Sequence, residues 1–185
     1  MGHPRRHRRP RLRRRRPPRR DPPPPHVQQR GDFKNNVTAA YDVFEACHRL
    51  GLRDIVVASS ETVLGVPFDE SITCLPLDED SPRRGRDAYG LSKVVIEQIA
   101  EEYAKNDPEL RVSALRLSYV QNEDECADYP GFADDIDERS WDLWPYIDGR
   151  DTGAAIEKAL HYQPRGFETF LIVADDTVMP SPPPT

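Results

Sequence analysis

The chain has 185 residues, a length for one domain, and its 37% hydrophobic and 31% charged side chains leave a sparse supply for a core. Its net charge of -6 conceals a division: residues 1–35 hold 13 Lys and Arg against Asp21 and Asp32, whereas the rest holds 13 basic against 30 acidic side chains. No apolar run approaches the roughly 20 residues needed to cross a bilayer, and Cys47, Cys74 and Cys126 lack the spacing of a disulfide scaffold or a zinc knuckle. A reducing cytoplasm and no membrane partner are the matching expectations.

Residues 1–31 read as a disordered Arg/Pro-rich segment. Residues 1–30 carry twelve arginines and eight prolines, with Leu12 and Val27 almost alone as aliphatic side chains, too few to offset the entropy of ordering. Such a run attracts phosphate through counterion release, which makes nucleic acid one partner to expect. An altered reading frame of GC-rich DNA encodes the same composition. A globular domain is expected over residues 32–179, followed by a second disordered tail at 180–185.

From Asp32 the texture changes. Val37, Ala40, Tyr41, Phe44, Cys47 and Leu50 recur at helical spacing, and Gly51 is placed to end that helix. Asp54 to Ala58 predicts a short buried strand of the continuous apolar kind found in parallel sheets. The loop from Ser59 to Asp87 is long, and loops of such length inside a domain are often functional. A helix is predicted from Ala88 to Lys105, with Leu91, Val94, Val95, Ile99 and Tyr103 on its apolar side. Then come a strand from Arg111 to Val120, an acidic irregular region from Cys126 to Trp144, a helix from Gly153 to Tyr162 capped by Asp151-Thr152, and a strand from Thr169 to Ala174. Alternating strands and helices imply an α/β fold with a largely parallel sheet.

Two motifs carry chemistry. Ser59-Ser60-Glu61-Thr62-Val63-Leu64-Gly65 follows the first strand, and Ala88-Tyr89-Gly90-Leu91-Ser92-Lys93 opens the next helix. A tyrosine four residues before a lysine shares its helix face, so the ammonium can favour the ionised phenol and the pair can move a proton. Alone, Tyr-x-x-x-Lys also occurs by chance as a solvated pair; the strand, the serines and the Pro/Asp/Arg-rich loop supply context. The arrangement resembles the extended short-chain dehydrogenases/reductases, the family of NAD-dependent epimerases and dehydratases, from residue 32 to residue 178.

The resemblance implies a partial Rossmann-like, doubly wound parallel sheet. It also implies a reaction in which hydride moves between a nicotinamide and a sugar-like carbonyl or alcohol. Tyr89 would be the general acid/base, Lys93 would hold its pKa down and bind the nicotinamide ribose, and Ser60 would stabilise charge on the substrate oxygen. Ser60, five residues before Gly65, matches the family serine, and Ser59 reads as a turn residue. Asn35-Asn36 resembles the family's paired asparagines at a helix start, either as cofactor contacts or a water-linked path to the lysine, or as a helix cap. Arg116 lies in a strand similar to the family's Leu-Arg segment, whereas Leu117-Ser118-Tyr119-Val120 departs from its continuation and Leu64 replaces a tyrosine common before the glycine. Asp148 and Asp151 read as structural caps. The clusters Glu123-Asp124-Glu125 and Asp134-Asp135 fit no defined metal loop, so no metal is expected.

The Gly-x-x-Gly-x-x-Gly turn on which the family seats the cofactor pyrophosphate does not occur in the 185 residues. The expectation is a truncated copy with impaired activity: NAD or NADP as the family's cofactor, a sugar or nucleotide-sugar-like substrate, an incomplete cofactor site, and a homodimer as the family's association. A competing expectation is a non-catalytic remnant or interaction protein whose Arg-rich arm binds nucleic acid.

Overall fold

The computed structural model describes residues 25–66, 75–122, 145–163 and 166–176, with side chains in the first helix from Arg30 onward. In chain order the elements are helix α1 (Pro25–Leu50), strand β1 (Asp54–Ser60), a 3-10 turn (Glu61–Leu64) and helix α2 (Ala88–Asn106). Strands β2 (Arg111–Leu117), β3 (Val120–Gln121) and β4 (Ile147–Asp148), helix α3 (Gly149–His161) and strand β5 (Phe167–Ile172) follow. The acidic clusters at 123–125 and 134–135, and the whole stretch 123–144, lie outside the described residues, as do residues 1–24 and 177–185. No described helix is long and apolar enough to cross a membrane.

Helix α1 begins ahead of the compositional break at Asp32 and so overlaps the segment read as disordered. Proline is tolerated in a first helical turn, where its missing N–H has no partner to lose, and glutamine and arginine favour the helix that follows. Asn35 and Asn36 consequently lie inside α1, not at its start, which corrects the capping reading. The far end is as expected: Gly51 adopts φ 70, its N–H donates to the His48 carbonyl and that of Leu52 to Cys47, a left-handed stop open to glycine.

The sheet has the order β1-β2-β5 and every pairing is parallel. β1 runs past the expected Ala58 because its register with β2 continues through Ser59 opposite Arg116 and Ser60 opposite Leu117. β3 and β4 form a separate parallel couple. At the start of α3 the cap is Asp148, whose Oδ1 accepts the Arg150 N–H at 2.6 Å. Asp151 instead sits in the first turn, where a carboxylate favours the helix dipole. Helix α3 therefore starts earlier than expected, since Asp148 already holds the extended cap conformation at the end of β4.

The core lies on one face. Alternation along the strands turns Ile55 and Val57 of β1 and Val112 and Ala114 of β2 toward Phe44 of α1 and Ile96, Ala100 and Ala104 of α2. Helix α3 lies against β1 and β2 on the other face.

Candidate active site

The carboxyl end of β1 and the amino end of α2 meet. Ser60, extended at φ -154 and ψ 152, caps the 3-10 turn, and its Oγ accepts the Thr62 N–H at 3.2 Å. Val63 and Leu64 are buried and pin this turn to the protein; Leu64 thus acts through packing, in keeping with its place in the motif. Asp87 caps α2 by accepting the Gly90 N–H at 2.7 Å. Gly90 permits the approach of helix and turn, since a Cβ there would lie 3.0 Å from the Thr62 carbonyl oxygen and from Asp87 Oδ1.

This seating brings the Tyr89 hydroxyl beside Ser60, whose side chain favours the ionised phenol. Lys93 stands one turn further along α2, its Nζ 5.4 Å from the centre of the Tyr89 ring. That ammonium donates to the Ala58 carbonyl at 2.7 Å. The Arg53 carbonyl accepts from Arg111 of β2, so by strand alternation the Ala58 carbonyl points away from β2. Lys93 therefore covers an acceptor on the side of β1 that has no strand partner among the described residues.

Burial pushes the Tyr89 phenol above its ordinary range, against the lowering effect of the Ser60 hydroxyl, with Asp87 and Glu61 adding to the rise. Burial also pulls Lys93 down. In this structure burial, not Lys93, sets the direction of the Tyr89 shift. The Lys93 ammonium is committed to the Ala58 carbonyl, and the nearby carboxylates favour the neutral phenol. Tyr89 is protonated at neutral pH and suited to giving a proton.

Of the two asparagines only Asn36 reaches this region. Its Nδ2 donates to Ser92 Oγ at 3.2 Å, and Ser92 Oγ donates to the Tyr89 carbonyl at 2.6 Å. Asn36 and Lys93 also line a cavity of about 280 Å³ between α1 and β1. Asn35 is exposed. Ser59 is not a free turn residue: it is buried, and its Oγ donates to Glu97 Oε1 at 2.6 Å.

Glu97 was not singled out by the sequence motifs. It is fully buried beneath Tyr89 and Lys93 on α2 and receives Arg116 Nε and NH2, each at 3.0 Å, and Arg83 Nε at 2.9 Å. A charged residue at four-residue intervals behind Tyr89 and Lys93, on the inward face of an otherwise amphipathic helix, was the available signal.

Taken together, the site offers two hydroxyls converging on one point and a cation beside them. These groups suit the nicotinamide end of a dinucleotide, where ribose hydroxyls would find Tyr89 and Lys93. No glycine-rich turn is present in the sequence to receive the pyrophosphate. Among the described residues no group of His, Cys, Asp and Glu is placed to hold a metal ion.

Residues 24–131 match the model of the NAD dependent epimerase/dehydratase family. Curated relatives include a UDP-glucose 4-epimerase of Schizosaccharomyces pombe, 36% identical over 84 residues, and one of Bacillus subtilis, 37% identical over 84 residues. Each alignment takes in 45% of this chain and 23% of the relative. Among solved structures, a short-chain dehydrogenase/reductase superfamily protein from Agrobacterium tumefaciens with bound NAD superposes at a TM-score of 0.64 and 22% identity, over 84% of this chain and 57% of that one. A UDP-N-acetylglucosamine 4-epimerase from Bacillus cereus superposes at 0.62 and 20% identity, over 80% and 53%. These likenesses establish a Rossmann-like α/β fold, and the chain spans about half the length of the solved structures it matches.

Proposed function

The chain belongs to the NAD dependent epimerase/dehydratase family, and on that premise we propose that it carries the proton-transfer half-site of an NAD(P)-dependent oxidoreductase or epimerase acting on a sugar-nucleotide carbonyl or alcohol. The observation that carries this reading is the seating of Tyr89 beside Ser60, with the Lys93 ammonium 5.4 Å from the centre of the Tyr89 ring. The names of the relatives, UDP-glucose 4-epimerases, favour a sugar nucleotide as the substrate class.

In this mechanism the Tyr89 phenol gives its proton to a substrate carbonyl oxygen as that oxygen gains negative charge, and takes it back in the reverse direction. Ser60 donates a hydrogen bond to the same oxygen and stabilises the charge as it develops. Lys93, released from the Ala58 carbonyl, would hold the ribose hydroxyls and place its positive charge where it favours the phenolate. Asn36 steadies this end of α2 through Ser92. A bound NAD(P) would supply the hydride exchange. Because the glycine-rich turn is absent from the sequence, the 185 residues by themselves would hold the dinucleotide weakly.

A chimera tests the half-site apart from cofactor affinity. Residues 54–121 would replace the corresponding segment of the Bacillus subtilis UDP-glucose 4-epimerase, with which this chain shares 37% identity over 84 residues. The chimera should epimerise its substrate, and Tyr89→Phe within it should lower kcat by about 10²- to 10⁴-fold. An unchanged kcat in a folded, cofactor-loaded Tyr89→Phe chimera would refute the reading.

A further inference from the structure

We propose that Glu97 is a positioning residue for Tyr89 and Lys93, its buried carboxylate fixing the rotation of α2 through Ser59, Arg116 and Arg83. The proposal rests on the functional reading above. Tyr89, Lys93 and Glu97 recur every four residues on one face of α2. Glu97 stands about 12 Å along the axis from Tyr89 at the helical rise per residue.

The grips on Glu97 come from separate parts of the fold. Ser59 approaches from β1, next to Ser60, at 2.6 Å. Arg116 approaches from β2 with a two-pronged contact, and its NH1 continues to the Glu79 carbonyl at 2.9 Å. Arg83 approaches from the loop before α2 and also bonds Glu101 at 3.1 Å. The same loop is tied to the rest: Glu79 Oε1 accepts the Leu171 N–H of β5 at 2.8 Å, and the Arg84 N–H donates to the Val63 carbonyl at 2.6 Å.

Rotating or sliding α2 would strip a fully buried carboxylate of these partners, which is far costlier than breaking an exposed pair. Tyr89 and Lys93 take their aim from the same rigid helix. An apolar side chain at position 97 would leave the buried Arg116 and Ser59 without their partner and the rotational register of α2 without these grips. The charge confers one orientation, and the catalytic hydroxyl pair depends on that orientation.

The test is an ultraviolet titration of the phenol in the full chain, with the Tyr89 signal isolated by subtracting Tyr89→Phe. Loosening α2 admits more water to a phenol that is 39% exposed and whose rise comes mainly from burial of the remainder. Glu97→Gln should therefore lower the Tyr89 midpoint by about half a unit or more, a threefold change in proton affinity. Arg116→Lys keeps the charge but loses the two-pronged grip, and should lower the midpoint likewise. Ser59→Ala removes a single hydrogen bond and should produce a smaller fall; with Arg116→Lys it decides the matter if Glu97→Gln does not fold. Reduced stability with an unchanged midpoint in the folded variants would overturn the proposal. So would a shift in Glu97→Gln with none in Arg116→Lys, which would mean charge acting through space without positioning. The titration uses neither dinucleotide nor substrate, so a failure of the chimera would remove the functional reading while leaving this result intact.

Discussion

On the side of the sheet covered by α1 and α2, Phe44, Ile96 and Ala100 close over Ile55, Val57, Val112 and Ala114. On the other side α3 buries only Thr152 and leaves Ile156 and Leu160 exposed, while every residue of β5 is half-buried. Tyr89, Lys93 and Glu97 belong to α2 on the tightly packed side, and Ser59 and Arg116 reach Glu97 from the strands beneath it. The contrast teaches why the proposed chemistry would sit there. A proton-transfer pair must be held within a fraction of an ångström, and only side chains whose own orientation is fixed by packing and buried hydrogen bonds achieve that.

If the two sides differ as described, mutations should separate them. Arg116→Ala removes the partner of a fully buried carboxylate and should cost about 3–5 kcal/mol, measured by urea unfolding. Phe44→Ala opens a cavity in the core and should cost a similar amount, about 3–5 kcal/mol. Equal stability in either variant would break the comparison. Asp87→Ala removes the cap of α2 and should cost about 1 kcal/mol, sharpening the role of the helix start against that of the core.

Tyr103 reports the same side through pH. Burial and the Glu45 hydrogen bond at 3.0 Å raise its phenol to about 12. A raised folded pKa means the contribution is fully present below the unfolded value and is lost as pH rises through the folded one. Stability should therefore fall between the ordinary phenol value of 10.0 and about 12. Solvent screening limits this to about 1 kcal/mol or less, and Tyr103→Phe should flatten that part of the profile. Leu160→Ala, on the exposed side of α3, should change stability by no more than about 0.5 kcal/mol.

Local patterns were readable in the sequence and long-range ones were not. The Tyr89-Lys93 face, the Gly51 stop and the parallel strands follow from spacing and turn chemistry within a few residues. Glu97 acquires its meaning from Ser59, Arg83 and Arg116, which only the fold brings to it. Asn35 and Asn36 are equivalent by residue type, and helix phase turns Asn36 toward Ser92. Asp148 and Asp151 are equally good caps by residue type, and the end of β4 selects Asp148. The rise of the Tyr89 pKa is not legible in the sequence because it depends on burial, and then on Asp87 and Glu61, which the fold brings near the phenol.

On the proposed reading, Ser60, Tyr89 and Lys93 are assembled in these 185 residues without a glycine-rich turn to hold the pyrophosphate. Calorimetric titration of NAD and of NADP into the full 185-residue chain tests it most directly. The account predicts no measurable heat of binding, and micromolar affinity for either dinucleotide would contradict it.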